Sequence, residues 1–231
     1  MSLPSVAAAA LLGGQPFDPS SIPNLDAWLD PDPAYLTIVA GGASNMADRT
    51  GLGHDATQTI VGREPDPIAN DPLLNNQPSL TYGPGVQYFD HTLMAQAVSD
   101  WTFFFAVYNS VVAGIRAIYD DGTIRFRPSG GSMSLISGAG ALSTPMGIGP
   151  HIVCGRLGTN GLLRVDATTV TGVLIAQPIG VNANLGARWT AGGDYFQTKI
   201  GDTYIYKREL TNGEVDTVMN GMGRKYNIPV V

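Results

Sequence analysis

Cysteine occurs once in this chain, at Cys154, so no internal disulfide can form and the fold must rest on its buried core. That fits folding in a reducing compartment. Charge is sparse too: 14% of residues are charged, 13 basic against 19 acidic, for a formal net charge of −6. Without a run of Lys or Arg there is no electrostatic footprint for DNA or RNA, and no nucleic-acid partner is expected. Long apolar runs are missing as well. The opening "MSLPSVAAAALLGG" is too short to span a bilayer and lacks the basic n-region of a secretory signal, so neither a signal nor a membrane contact is expected. No G-x-S-x-G, phosphate-loop or N-x-S/T motif occurs.

What the chain has in quantity is turn formers, with 29 Gly and 16 Pro, alongside 44% apolar residues. That mixture favours short strands joined by tight turns over long solvated helices. "WTFFFAVYN" (101–109) is too apolar to alternate cleanly, which predicts a strand buried on both sides at the centre of a sandwich. Asp121-Gly122 within "IRAIYDDGTIRFRP" and Asn160-Gly161 within "HIVCGRLGTNGLLRVDATTV" each separate two β-patterned runs, the signature of a hairpin turn. Antiparallel sheet of at least ten strands follows. The proline-rich stretches 30–33 and 64–78 read as connectors.

Near the C-terminus the periodicity changes. Thr203–Lys207 alternates as a strand; then Thr211 and Glu214 form a capping box, and Val215, Val218, Met219 and Met222 recur on one helical stripe. One short amphipathic helix of about three turns is predicted, with Gly223, Arg224 and Lys225 suiting its end. No repeat and no low-complexity linker divides the chain. Residues 1–20 read as an N-terminal arm and 21–231 as one domain.

The segments "SIPNLDAWLDPD" (21–32), "MADRTGLGHDATQ" (46–58), "QPSLTYGPGVQYF" (77–89), "WTFFFAVY" (101–108), "HIVCGRLGTNGLLRVDATTV" (151–170) and "KIGDTYIYKRELTNGEVDTVMNGMGRKYNI" (199–228) resemble, in this order, the concanavalin A-like/laminin G-like jelly-roll modules of tailed-phage structural proteins and bacterial surface proteins. The resemblance implies an all-β fold of two packed antiparallel sheets, the last strand closing the sandwich and the helix docking at its edge. It also implies a virion-associated structural or adhesive role as capsid decoration, fibre or tail component. The arm would then contact other virion proteins, in a homo-oligomer with host glycan as a further partner. The alternative is a secreted or surface-borne bacterial carbohydrate-binding module.

Catalysis is not expected from the residues. Glucanases on this scaffold alternate acids along one strand, and no E-x-D-x-E pattern occurs; Asp120/Asp121, Asp30/Asp32 and Asp66/Asp71 read as turn formers, so no catalytic residue is assigned. His151 and Cys154 fall on opposite faces of a strand and cannot share a metal. His54 and His91 read as ordinary surface or loop histidines, and Cys154 as an inert core thiol. "GLGHDA" (51–56) matches a dinucleotide fingerprint only in letters, since no βαβ unit surrounds it. No cofactor is assigned; the loop 48–55 offers Asp48 and Asp55 either to Ca²⁺ or, more simply, to turn capping. A sugar face needs aromatic rings flanked by polar groups. "GARWTAGGDYFQ" (186–197) supplies Arg188, Trp189, Asp194 and Tyr195 as the ligand-binding candidates, while Trp28 and Trp101 are assigned to the core.

Overall fold

Phe103, Phe104 and Phe105 are consecutive and all fully buried, which a strand permits only if both of its faces are covered. The computed structural model describes residues 17–83, 87–92, 100–110, 116–138, 140–174, 182–187 and 199–230. In chain order its strands are β1 (Leu25–Leu29), β2 (Leu36–Val39), β3 (Gly42–Met46), β4 (Ala56–Thr57), β5 (Asp66–Asp71), β6 (Gln77–Thr81), β7 (Phe89–Thr92), β8 (Thr102–Asn109) and β9 (Tyr119–Asp120). There follow β10 (Ile124–Ser129), β11 (Ser132–Ser137), β12 (Gly140–Pro145), β13 (Gly149–Arg156), β14 (Gly158–Val165), β15 (Thr168–Leu174), β16 (Asn182–Leu185) and β17 (Lys199–Tyr206), then helix α1 (Asn212–Tyr226).

Two antiparallel sheets result. The first runs β15-β14-β13-β8-β17-β6-β5, with β1 pairing the C-terminal half of β17; the second runs β12-β11-β10-β9-β16-β7-β4-β3-β2. Between them lies the main core, where Phe103, Phe105 and Val107 of β8 meet Tyr119 and Phe126 of the facing sheet. The Phe105 and Phe126 rings stand 4.9 Å apart at 66°, a favourable edge arrangement. A second core lies on the outer face of the first sheet. There Phe104, Ala106, Ile152, Cys154 and Tyr204 are covered by Val215, Val218, Met219 and Met222 of α1.

The helix therefore docks on the centre of a sheet face, not at the sandwich edge. Its capping box is formed: Glu214 N–H donates to Thr211 Oγ1 over 3.3 Å and Thr211 N–H to Glu214 Oε2 over 2.8 Å. The helix continues past Gly223 to a left-handed cap at Asn227 (φ 55°). Gly223 has a different task, since a Cβ there would lie 2.7 Å from the Ile228 carbonyl and crowd Val230. At the other terminus Phe17 packs beside Gly221 and Tyr204, and Tyr206 Oη donates to Pro19 O, so these residues lie on the helix-side core.

Asp121-Gly122 turns between β9 and β10, with Gly122 at φ +88° and Asp121 Oδ1 accepting from the N–H groups of Thr123 and Ile124. Asn160-Gly161 lies in the reversal from β13 to β14, as expected, but that reversal takes five residues, 157–161, and not two. Arg156 pairs Leu162, and residues beyond Arg156 overhang β13 while staying paired to β15 through a bulge between Gly158 and Gly161. A second, tighter reversal follows at Asp166 and Ala167 between β14 and β15, with Asp166 at φ 51°. The stretch 64–78 is also more regular than a connector: it holds β5, which tolerates Pro67 because it is an edge strand, and the start of β6.

His54 lies in a loop, as one of the expected surface or loop positions, and His91 in β7; both are buried, at 3% and 1% exposure. Their rings stand 6.5 Å apart, and His54 Nε2 is 3.6 Å from Asp26 Oδ2. Burial, with the neighbouring His54 adding to it, pushes the His91 pKa down to about 4. The unfolded chain takes this proton near pH 6.5 and the folded chain not until about 4, so the folded state gains stability as pH rises through that window. Unfolding free energy is expected to fall by on the order of 3 kcal/mol from pH 7 to pH 4 through this residue. Denaturant titrations of wild type and His91→Asn should differ by that component; parallel pH profiles would refute it.

Candidate functional site

Sheet and helix differ in width, and the difference leaves an open groove. α1 covers β8 and β13, and the outer faces of β14 and β15 extend beyond its N-terminal end. The groove there measures about 910 Å³. Its far wall is β15, where Thr169, Thr171 and Val173 point outwards on alternate positions and are exposed. The near wall is the start of α1 with the residues before it, Glu209 to Asn212, then Val215 and Asp216. Between the walls Gly161 faces Gly172 across the β14–β15 ladder, so the floor at that pair is bare backbone.

Two arginines hold this geometry. Arg156, 5% exposed, donates from Nη1 to Leu210 O and Asn212 Oδ1 at 2.8 Å each and from Nε and Nη2 to Asn160 O, tying the bulge to the helix start. Glu209 Oε1 lies 3.8 Å from its Nε. Arg164, 8% exposed, donates to Asp216 Oδ1 over 2.5 Å, to Asp166 O over 2.9 Å and to Val230 O. Gly158, at φ +127°, lets Glu209 approach: a Cβ there would stand 2.5 Å from Glu209 Oε2. The charges cancel in pairs, leaving hydroxyls, amides and the exposed Val173 along the open groove.

A second hollow of about 490 Å³ lies beside Trp28, among Asp18, Asn24, Thr50 and Leu52. Trp28 is half-buried at the rim of the helix-side core and not inside it, whereas Trp101 is fully buried in the main core. The Arg49 guanidinium lies 3.5 Å over the Trp28 ring and its Nη1 2.5 Å from Asp30 Oδ2. One ring face is thereby taken by a cation, and Tyr204 meets the same ring edge-on.

The aromatic candidates Arg188, Trp189, Asp194 and Tyr195 lie outside the described residues. In the 48–55 loop Asp48 accepts from the N–H groups of Trp28, Thr50 and His54 and from the Thr50 hydroxyl, and Asp55 accepts from Asp48 N–H. Both carboxylates serve as turn caps. Among the described residues no three His, Cys, Asp or Glu side chains gather into a metal cluster. Cys154 is buried in the helix-side core with its thiol pKa pushed up by desolvation, and His151 instead pairs Asp166 at 2.7 Å. The groove residues themselves escaped the sequence reading, because a bulge at Gly158–Gly161 and a helix start at Asn212 lie too far apart in sequence to give a shared spacing signal.

No family model and no curated protein matches the sequence. Solved structures do match. Trypanosoma rangeli sialidase in complex with sialic acid is 15% identical with a TM-score of 0.63, over 90% of this chain and 34% of that one. A structure of botulinum neurotoxin type C, whose cell entry depends on two ganglioside molecules, is 12% identical with a TM-score of 0.61, over 86% and 51%. The serotype D toxin binding domain is 11% identical with a TM-score of 0.63, over 86% and 52%. The chain spans about a third of the sialidase and about half of the toxin chains. These likenesses establish the two-sheet β-sandwich. They also overturn the expectation of a chain that is not an enzyme: a sialidase is an enzyme, and the sandwich it shares with this chain gives no ground for that exclusion.

Replacing Arg156 by Ala strands the Leu210 and Asn160 carbonyls and unties the helix start from the bulge. A loss of about 3 kcal/mol is expected, as for breaking a buried charged network. Chemical denaturation measures it, and an unchanged midpoint would remove the staple from the account.

Proposed function

We propose that this chain is a glycan-binding β-sandwich and that the β14–β15/α1 groove is where the sugar sits. The observation that carries the reading is the groove's lining. Thr169, Thr171, Asn160 and Asn212 offer hydroxyl and amide groups, and the exposed Val173 offers aliphatic surface, the two chemistries that a sugar ring presents. Arg156 and Arg164 are each matched by a carboxylate within the groove, so no unpaired cation waits for an acidic sugar, and the ligand class favoured is neutral. The structural likeness to toxin domains bound to glycan, such as the complex with SialylT, supports binding of sugar by this fold.

A glycan array with wild type, Thr171→Trp and Trp189→Ala tests the reading. Thr171 is exposed, so the bulky side chain fills the groove without touching the core. Loss of a neutral-glycan signal in Thr171→Trp, with unchanged thermal unfolding, is the expected result. Loss only in Trp189→Ala moves the site to the aromatic segment, and no binding by wild type ends the proposal.

A finer reading places this module on the surface of a tailed-phage particle, made in the host cytoplasm, the alternative being a bacterial secreted or surface protein. Its support is the ordered set of motifs that resembles phage-type modules. On that reading residues 1–16 attach the domain to other virion proteins, since Phe17 and Pro19 already lie on the body. Their deletion is expected to abolish incorporation into particles and leave the thermal midpoint unchanged; normal incorporation of the truncated chain counts against it.

A further inference from the structure

The two sheets end in five edge strands, β1 included, and four of them are protected. β15 lies against β12, close enough that a Cβ on Gly140 would stand 3.2 Å from the Val173 carbonyl. β12 in turn ends on Pro145, and β5 carries Pro67 between Asp66 and the buried Asp71. Proline and charge are the usual devices by which a sheet avoids adding a foreign strand. The outer side of β1 is occupied as well, where Asp48 bridges Leu29 and accepts from Trp28 N–H.

Among the described residues β2 has none of these protections. It pairs β3 on one side only, closes the nine-stranded sheet, and reads Leu-Thr-Ile-Val, a sequence of high strand preference. Ile38 and Val39 point to opposite faces and are 47% and 44% exposed. Beyond the hairpin tip, Gly42 abuts Glu64, which brings the exposed Ile60 and Val61 to the same end of the molecule. An edge strand turns one row of N–H and C=O groups outwards, so the partner that fits it is another strand.

We propose that β2 is the interface between two copies of this chain, paired antiparallel about a two-fold axis so that the nine-stranded sheets join. Charge selects a second copy as the occupant. An isologous contact sets residue i against j and j against i, so that a charge at the axis would face its like, and residues 33–47 contain no charged side chain. β2 therefore meets its own copy without repulsion, Ile38 and Val39 of each chain covering those of the other.

Light scattering coupled to size exclusion, over a concentration series of the full chain, tests this. A dimer is expected that dissociates on dilution. Ile38→Lys/Val39→Lys sets like charges across the axis and is expected to weaken dimerisation at least tenfold, with unchanged thermal unfolding because both positions are exposed. Ile148→Lys, at another exposed site, is expected to leave the dimer intact. A wild type that stays monomeric throughout, a dimer that survives the double substitution, or one equally weakened by Ile148→Lys overturns the proposal.

Discussion

The structure depends on one strand being buried on both faces. β8 offers Phe103 and Phe105 to one side and Phe104 to the other, so it demands a second layer above and a third below. Burying one such ring removes well over 100 Å² of apolar surface from water, and leaving either side open would forfeit roughly 2 kcal/mol per ring. The facing sheet satisfies the first side. The second falls to α1, a helix whose own stripe of Val and Met would otherwise be exposed, and the two obligations are met together.

A helix held on a sheet by apolar contact alone is free to slide. The polar contacts at its ends fix it. At the start Arg156 and Arg164 reach from β13 and β14 to Leu210, Asn212 and Asp216, and Arg208 grips Glu214 with two bonds of 2.6 and 2.9 Å. Near the C-terminal end Lys225 reaches Asp202 over 2.7 Å beneath the helix, and Tyr226 Oη accepts from Asp202 N–H over 2.8 Å. Burial raises the Asp202 pKa despite that lysine, which shows how far this carboxyl lies from solvent. Charged residues at strand ends thus position a contact that apolar residues drive.

What was legible in the sequence follows the range of the interactions. The unbroken apolar run of β8, the Asp121-Gly122 hairpin and the Thr211–Glu214 capping box are local patterns, each carried by residues within a few positions, and each reads correctly. Asn160-Gly161 marks the β13–β14 reversal but not its length, because the residues between Arg156 and Leu162 are also paired to β15 through a bulge that no local pattern shows. Gly223 misleads: glycine at a helix end and glycine under a crossing chain look alike in one dimension. The burial of His54 beside His91 and the meeting of Arg156 with Asn212 join residues far apart in sequence, so no spacing announces them.

The groove follows from the same constraint as the core. A fifteen-residue helix is about 22 Å long and 10 Å wide, whereas seven strands at about 4.8 Å spacing spread over roughly 30 Å, so α1 cannot cover the whole face it packs upon. Where it covers, β8 and β13 are apolar; where it stops, β15 alternates exposed threonines with residues turned inwards. The uncovered flank needs polar side chains to stay solvated, and the helix start must be tied down beside it. A solvated polar flank next to a rigid wall leaves an open groove, formed from the mismatch in width between one helix and the sheet it completes.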